Sequence, residues 1–370
     1  MRLVHLRTHA FRNLVGTDLG TDARFVVVHG PNAQGKTNLL EAAWLLATLR
    51  PLRGARVREL VALGTAAATI SGTVRHDGIS RRLSVELESP RRRALVDGEP
   101  IRELGEYFAW VRAIAFQPSD AAIVTEGPAE RRAWLDRAAF TAHPVHLDRV
   151  RTVQRLLDHK GAVLRQDRPD AAVLDVLDAQ LAAAGSRLVE ARARTLAELA
   201  PHVADEHAAI AGAHGELRLE HRTDATGSDE RHRETALRGA LAEARRDEVA
   251  QRRSLVGPQR DEIRLTLDGH AARTFGSRGQ VRSIVLAMKL AELVAARARG
   301  QAPLFLVDDL SSELDRGRTE RLVERLVGLD AQVWVSTTDP SPLDVLPAGE
   351  VLRVRMAEGV STSEGPPARG

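Results

Sequence analysis

The sequence predicts an α/β fold in which the two ends of the chain build one lobe and a mainly helical lobe is inserted between them. Three observations carry this reading. Near the amino terminus the apolar run RFVVVHG closes on glycine, and KTNLLEAAWLLATL behind it has apolar residues at helical spacing. After about residue 262 strand and helix patterns alternate again, through IRLTLDG, QVRSIVLAMKLAELVAARAR, PLFLVDD, TERLVERLVGL and AQVWVSTT. Between them, residues from about 128 to 250 are dominated by alanine, leucine, arginine and glutamate with helical periodicity.

The elements follow in order. The first 30 residues alternate as strands do. From Thr65 to Ile101 alternation dominates, with Asp77-Gly78 and Asp97-Gly98 as hairpin turns, so an antiparallel β segment sits inside the α/β frame. Pro128 suits the start of a helix over AERRAWLDRAAF, and Pro144 the start of another over VHLDRVRTVQRLLDHKGAVL. Asp170–Ala200 reads as a third long helix. No helical run extends beyond roughly 40 residues, so a long coiled-coil arm is not expected. The expected boundaries are 1–125 and 255–358 for the first lobe and 126–254 for the helical lobe, with 359–370 a disordered tail.

Composition excludes several classes. No stretch approaches the ~18 apolar residues of a membrane span, and the charged amino terminus lacks a signal-peptide core. The chain has no cysteine, which removes disulfides, iron–sulfur clusters and cysteine-ligated zinc. A cytoplasmic location is the expectation. The formal net charge is +3, yet lysine occurs only at Lys36, Lys160 and Lys289 among 53 cationic side chains. Arginine clusters at Arg91, Arg92 and Arg93, at Arg131 and Arg132, and at Arg252 and Arg253 are candidate basic faces. Aromatic residues make up 3% of the chain, poor material for stacking unpaired bases, so any nucleic-acid contact should rest on phosphates and duplex shape.

Gly30, Pro31, Asn32, Ala33, Gln34, Gly35, Lys36 and Thr37 satisfy the G-x-x-x-x-G-K-[ST] phosphate-binding loop, with Asn38 opening the helix behind it. Glycines let backbone N–H groups curl around phosphates, and the helix N-terminus adds its dipole. Lys36 is a compact point charge where a planar guanidinium is the wrong shape, which explains why one of three lysines stands here. Thr37 offers a hydroxyl to Mg²⁺. In PLFLVDDLSSELD, Asp308 would orient Mg²⁺ and Asp309 would polarise the attacking water. Two successive carboxylates mark hydrolytic ATPases of the ABC type rather than kinases or small GTPases. Asp315 falls in a loop that crosses to a partner subunit in such enzymes.

FGSRGQVRSIVLAMKLAE places Ser277, Gly279 and Gln280 at a helix start, in the pattern of the ABC signature S-G-G-Q. There the serine and the helix N-terminus bind the γ-phosphate held by the other subunit's loop, so ATP completes a homodimer. Gln117 in AIAFQPSD is the candidate sensor of Mg²⁺ and water. Thr337, Thr338 and Asp339 stand where many transporters carry a switch histidine, and the 13 histidines show no metal-ligand spacing.

Together FRNL, GPNAQGKTNLLEA, EGPAERRAWLD, GPQRDEI, FGSRGQVRS with LAMKLAE, and LVDDLSSELD resemble the RecF family, in the SMC-like branch of ABC ATPases, in family order from about residue 3 to 339. The family usually has histidine at Gln259 and aspartate at Glu262. The resemblance implies an ABC/SMC-type P-loop ATPase head that dimerises on ATP and binds DNA where single and double strands meet. It also implies weak DNA-stimulated ATP hydrolysis and cooperation with RecR and RecO in loading RecA. Arg91, Arg92, Arg93, Arg131 and Arg132 are then the candidate DNA contacts. An SMC tether would need long heptad arms, a transporter subunit a switch histidine, and an ATP-gated nuclease a further carboxylate domain. The remaining alternative is an SMC-like DNA-binding ATPase acting outside RecA loading.

Overall fold

The computed structural model describes residues 1–211 and 215–364. The chain divides into two compact units, Met1–Asp120 with Ala209–Gly212 and Val285–Gly370, and Ala121–Ala208 with Ala213–Ile284.

In the first unit β1 (Arg2–His9) and β2 (Thr17–Gly20) form a hairpin, and β3 (Phe25–His29) leads through a loop to α1 (Lys36–Thr48). After the single turn α2 (Val57–Leu60) come β4 (Ala67–His76), β5 (Ile79–Glu88), β6 (Arg91–Val96) and β7 (Glu99–Pro100). They complete an antiparallel sheet of order β2-β1-β4-β5-β6-β7. Asp77 and Gly78 have φ of 49° and 78°, and Asp97 and Gly98 of 52° and 91°. Two successive positive φ values make the turn whose twist matches a two-residue hairpin, as the Asp-Gly pairs predict. Next come α3 (Leu104–Phe108) and β8 (Ala113–Phe116).

The second unit contains α4 (Ala122–Thr125), α5 (Pro128–Ala142), α6 (His146–Leu164), α7 (Ala171–Ala211), β9 (Leu217–Arg222), α8 (Glu230–Gln251), β10 (Glu262–Leu267), β11 (His270–Ala271) and α9 (Ala272–Phe275). Pro128 occupies the first turn of α5, where its missing N–H leaves no intrahelical bond unmade. The third helix runs 41 residues, beyond Ala200 and through Pro201. Val153 of α6, Leu181, Leu188 and Val189 of α7, and Leu237 and Leu241 of α8 share one apolar core. Within it Lys160, with a fully buried side chain, sits 2.6 Å from Asp178 and 2.5 Å from Glu248, tying the three helices together.

Residues 255–284, which the sequence reading assigns to the first lobe, pack in the second unit. The cause is pairing: β10 lies between β9 and β11 in a three-stranded antiparallel sheet. The strand β9 itself sits in a region whose composition reads as helical.

After α10 (Arg278–Ala298) the chain adds β12 (Leu304–Val307), α11 (Leu310–Glu313), α12 (Arg316–Gly328), β13 (Val333–Thr337), β14 (Val351–Ala357) and β15 (Val360–Glu364). The sheet order is β15-β14-β3-β13-β12-β8, parallel from β14 to β8. Strands FVVVH, LFLV and VWVST are buried nearly throughout, as parallel strands covered on both faces must be. The expected disordered tail begins instead with a paired strand, because β15 binds β14 antiparallel from Val360 to Glu364. Residues 365–370 lie outside the described residues. Among the described residues no helix is long and apolar enough to cross a membrane.

Candidate nucleotide-binding and signature sites

The loop from Gly30 to Gly35 joins the carboxyl end of β3 to α1, the crevice in which parallel α/β sheets take ligands. Gly30 has φ 142°, and a Cβ there would stand 2.4 Å from the carbonyl oxygen of Met356, so no larger residue fits. The Lys36 ammonium bends back over the loop and donates to the carbonyls of Gly30 and Pro31, both at 2.7 Å. Burial pulls its pKa below the usual lysine value, opposed by Asp309 and Asp308. The FRNL segment anchors the helix behind: Arg12 grips the buried Glu41 with two bonds of 2.9 and 3.1 Å, and Asn38 donates to Asn13 at 2.7 Å.

Across the sheet, Asp308 follows β12 and is 5% exposed. Its Oδ1 accepts from Thr37 Oγ1 at 3.0 Å and from Ser336 Oγ at 2.7 Å. Burial pushes this carboxyl above the usual aspartate value. An added divalent cation would favour the ionised form. The oxygens of Thr37 and Asp308 are hard donors on one side of a position that phosphate oxygens and water would complete, which is how Mg²⁺ is usually held. The residues present therefore fit Mg²⁺. Arg53, which the sequence reading missed, places its guanidinium 3.8 Å from Asp308.

Asp309 adopts a left-handed conformation, φ 55° and ψ 50°, and its N–H donates to Ser336 Oγ at 2.8 Å. Ser312 Oγ donates to its carboxylate at 2.6 Å. Gln117 follows β8, whose Phe116 pairs with Val307, so it stands beside Asp308 at the same end of the sheet. Its side chain donates to the Leu52 carbonyl at 3.3 Å. Asp315 caps α12, accepting from Arg318 N–H at 2.9 Å and from its guanidinium at 2.6 Å, which holds its carboxyl below the usual range. Thr338 meets Ser311 at 2.8 Å, while the Thr337 hydroxyl donates to the Asp339 carbonyl at 2.8 Å. In the first unit the structure thus brings together the loop, Thr37, Asp308, Asp309 and Gln117.

The signature residues belong to the second unit. Ser277 precedes α10, its Oγ accepts from Gln280 N–H at 3.3 Å, and its own N–H donates to Gln280 Oε1 at 2.8 Å. This is a reciprocal capping box, S-x-x-Q, that satisfies two donors at the helix start. Ser277 is exposed, and a hydroxyl that accepts at oxygen keeps its proton to donate. Gly279 lies in the same first turn.

The arginine candidates separate. Arg131 is 5% exposed. Its guanidinium holds Glu262 at 2.7 and 3.1 Å and donates to the carbonyls of Ile123 and Glu126. Arg132 donates to the Asp261 carbonyl at 2.7 Å. The expectation of a DNA contact at Arg131 therefore gives way to a packing role. EGPAERRAWLD and GPQRDEI are two halves of one ionic network, completed by Arg192 between Asp136 and Asp261 at 2.8 Å each. Gln259 donates to the Val256 carbonyl at 2.9 Å, a local loop contact. Arg131→Ala should destabilise the protein by about 3 kcal/mol, because it strands Glu262 in a half-buried place. Chemical denaturation measures this, and a loss under about 1 kcal/mol would return Arg131 to the surface candidates. Arg91, Arg92 and Arg93 are exposed on β6, with Arg91 and Arg93 paired across the strands with Glu88 and Glu86.

The profile of the RecF/RecN/SMC N-terminal domain family matches residues 2–362. The chain is 38% identical over 348 residues to the DNA replication and repair protein RecF of Myxococcus xanthus, covering 92% of each chain. It is 36% identical over 365 residues to that of Geobacter sulfurreducens, covering 98% of this chain and 100% of the relative. Among solved structures it is similar to the recombination mediator protein RecF with ATP in the RecFOR pathway, with TM-score 0.87, 25% identity and coverage of 98% and 99%. An Smc head bound to the C-terminal winged-helix domain of ScpA shares the fold at TM-score 0.57 and 14% identity, with coverage of 98% and 97%.

Proposed function

The chain belongs to the RecF branch of the RecF/RecN/SMC N-terminal domain family, and from that premise we propose that it is an ATP-dependent DNA-binding repair protein. It hydrolyses ATP weakly, dimerises on ATP and acts at gaps or junctions between single- and double-stranded DNA. The observation that carries the reading is the grouping of Lys36, Thr37, Asp308 and Asp309 at one end of the parallel sheet. The place of the solved RecF in the RecFOR pathway supports RecR and RecO as partners and RecA loading as the outcome. A cytoplasmic location fits that role.

The loop N–H groups and the α1 N-terminus take the phosphates, and the Lys36 ammonium moves from the loop carbonyls to phosphate oxygens. Bound Mg²⁺ would neutralise phosphate charge between Thr37 and Asp308. Asp309 accepts the proton of the attacking water, and Gln117 orients it. Ser277, Gly279 and Gln280 of a second copy present the α10 N-terminus to the γ-phosphate, with Asp315 in the crossing loop. Arg91, Arg92 and Arg93 meet the DNA backbone.

Steady-state ATP hydrolysis against protein concentration, with and without gapped duplex, tests this. The rate per subunit should rise with concentration and rise again with DNA. A flat rate indifferent to DNA would withdraw both the composite site and the DNA reading.

A further inference from the structure

The turn between β14 and β15 reaches the phosphate-binding loop through main-chain groups. The Glu358 N–H donates to Gln34 Oε1, and the Gly359 N–H donates to the Gln34 carbonyl at 3.2 Å. The Gly359 carbonyl accepts from Val15 N–H at 3.0 Å. Asn13, next to that segment, takes the Asn38 amide at 2.7 Å on the first turn of α1. Behind the loop, the Met356 backbone lies against Gly30.

Gly359 is held by contact as well as by conformation. Its φ is 79°, and a Cβ would stand 2.1 Å from the Asn13 carbonyl oxygen. That neighbour is backbone and cannot swing away. Two other hairpin glycines, Gly78 and Gly98, have comparable φ but nothing within 4 Å of a Cβ. They serve only their turns.

We propose that the β14–β15 turn is a brace that positions the phosphate-binding loop for nucleotide, with Gly359 and Gln34 as its positioning residues. The inference rests on the reading that this loop takes ATP. Pro31, Asn32 and Ala33 are exposed, and Ala33 has φ 64°, so the loop has few contacts of its own to fix it. A loop held beforehand loses less freedom when phosphates arrive, and the difference appears as affinity. The brace touches neither Asp308 nor Asp309, so it should act on binding rather than on the chemical step.

The test compares ATP hydrolysis and equilibrium ATP binding in the full-length protein, Gly359→Ala, Gln34→Met, the double variant and Gly98→Ala. Gly359→Ala and Gln34→Met should each raise KM and Kd for ATP about tenfold, the equivalent of roughly 1.4 kcal/mol. At saturation kcat should stay within about twofold of the parent. The double variant should be no worse than Gly359→Ala, because both release the same turn from the same loop. Gly98→Ala, at a comparable positive φ in a remote hairpin but with open space around its Cβ, should leave KM unchanged. Parent-like KM in Gly359→Ala overturns the brace, as does an equal rise in Gly98→Ala. If Gly359→Ala does not fold, Gln34→Met decides alone, and a parent-like KM there overturns the proposal. A parent that binds no ATP removes the nucleotide reading itself and the inference with it.

Discussion

Lys36→Arg should lower ATP turnover by about 10²–10³-fold, although it keeps the charge. The Lys36 ammonium is a single point that bonds two carbonyls at 2.7 Å from inside the loop. A guanidinium spreads its donors over a rigid plane and is too wide for that position. Gly30 cannot make room, since the space where its Cβ would stand is already filled by the Met356 carbonyl. ATP binding should weaken about tenfold or more, because the loop must open to accept the larger group. Equilibrium binding and steady-state hydrolysis read the two effects separately. A Lys36→Arg protein within about twofold of the parent in both would mean that charge alone matters there, and that the loop does not enclose the γ-phosphate.

The strand, loop and helix from Phe25 to Thr48 were legible because the signals are local: glycine spacing, one lysine and the apolar runs on either side lie within a few residues. The rarity of lysine was a weaker signal than it looks. Lys160 and Lys289 are buried too, the first between Asp178 and Glu248, the second 3.8 Å from Asp120 and 3.7 Å from Glu292. In this arginine-rich chain lysine marks places where a compact ammonium fits, and a phosphate loop is one such place. The parallel strands were legible from continuous apolar runs. The β9–β10 pairing was not, because LRLEHR alternates for only six residues amid helical composition, and pairing partners leave no mark in local periodicity.

Long-range ionic networks were equally hidden. A doubled arginine reads as a basic face until its partner is known, and the partner of Arg131 is Glu262, 131 residues away. Ser336 escaped for the same reason: a serine in an apolar strand gains its meaning only from Asp308, just past the end of the neighbouring strand. The strand pair β14–β15 follows a stretch rich in turn residues, and its link to the phosphate loop spans more than 300 positions. Motifs place the chemistry, while the contacts that hold it in register come from parts of the chain that carry no motif.

Asp309→Asn should separate ATP binding from hydrolysis. Asparagine tolerates the left-handed conformation that Asp309 adopts. Its amide oxygen can still accept from Ser312 Oγ, and the backbone bond to Ser336 is untouched. The variant should therefore fold normally and keep Lys36, Thr37 and Asp308 in place. What it loses is the carboxylate proposed to take the water's proton, and hydrolysis should fall by about 10²–10⁴-fold. If ATP joins two copies through the Ser277–Gln280 turn, the unhydrolysed nucleotide should hold them together. Sedimentation with ATP and Mg²⁺ should show a persistent dimer where the parent returns to monomer as ATP is consumed. Asp308→Asn should differ, because it removes the buried carboxylate that Thr37 bonds and with it the proposed cation-binding pair, so nucleotide binding itself should weaken. An Asp309→Asn protein that binds ATP fully yet stays monomeric would detach the signature turn from the nucleotide. The capping box at Ser277 and Gln280 would then be only the start of a helix.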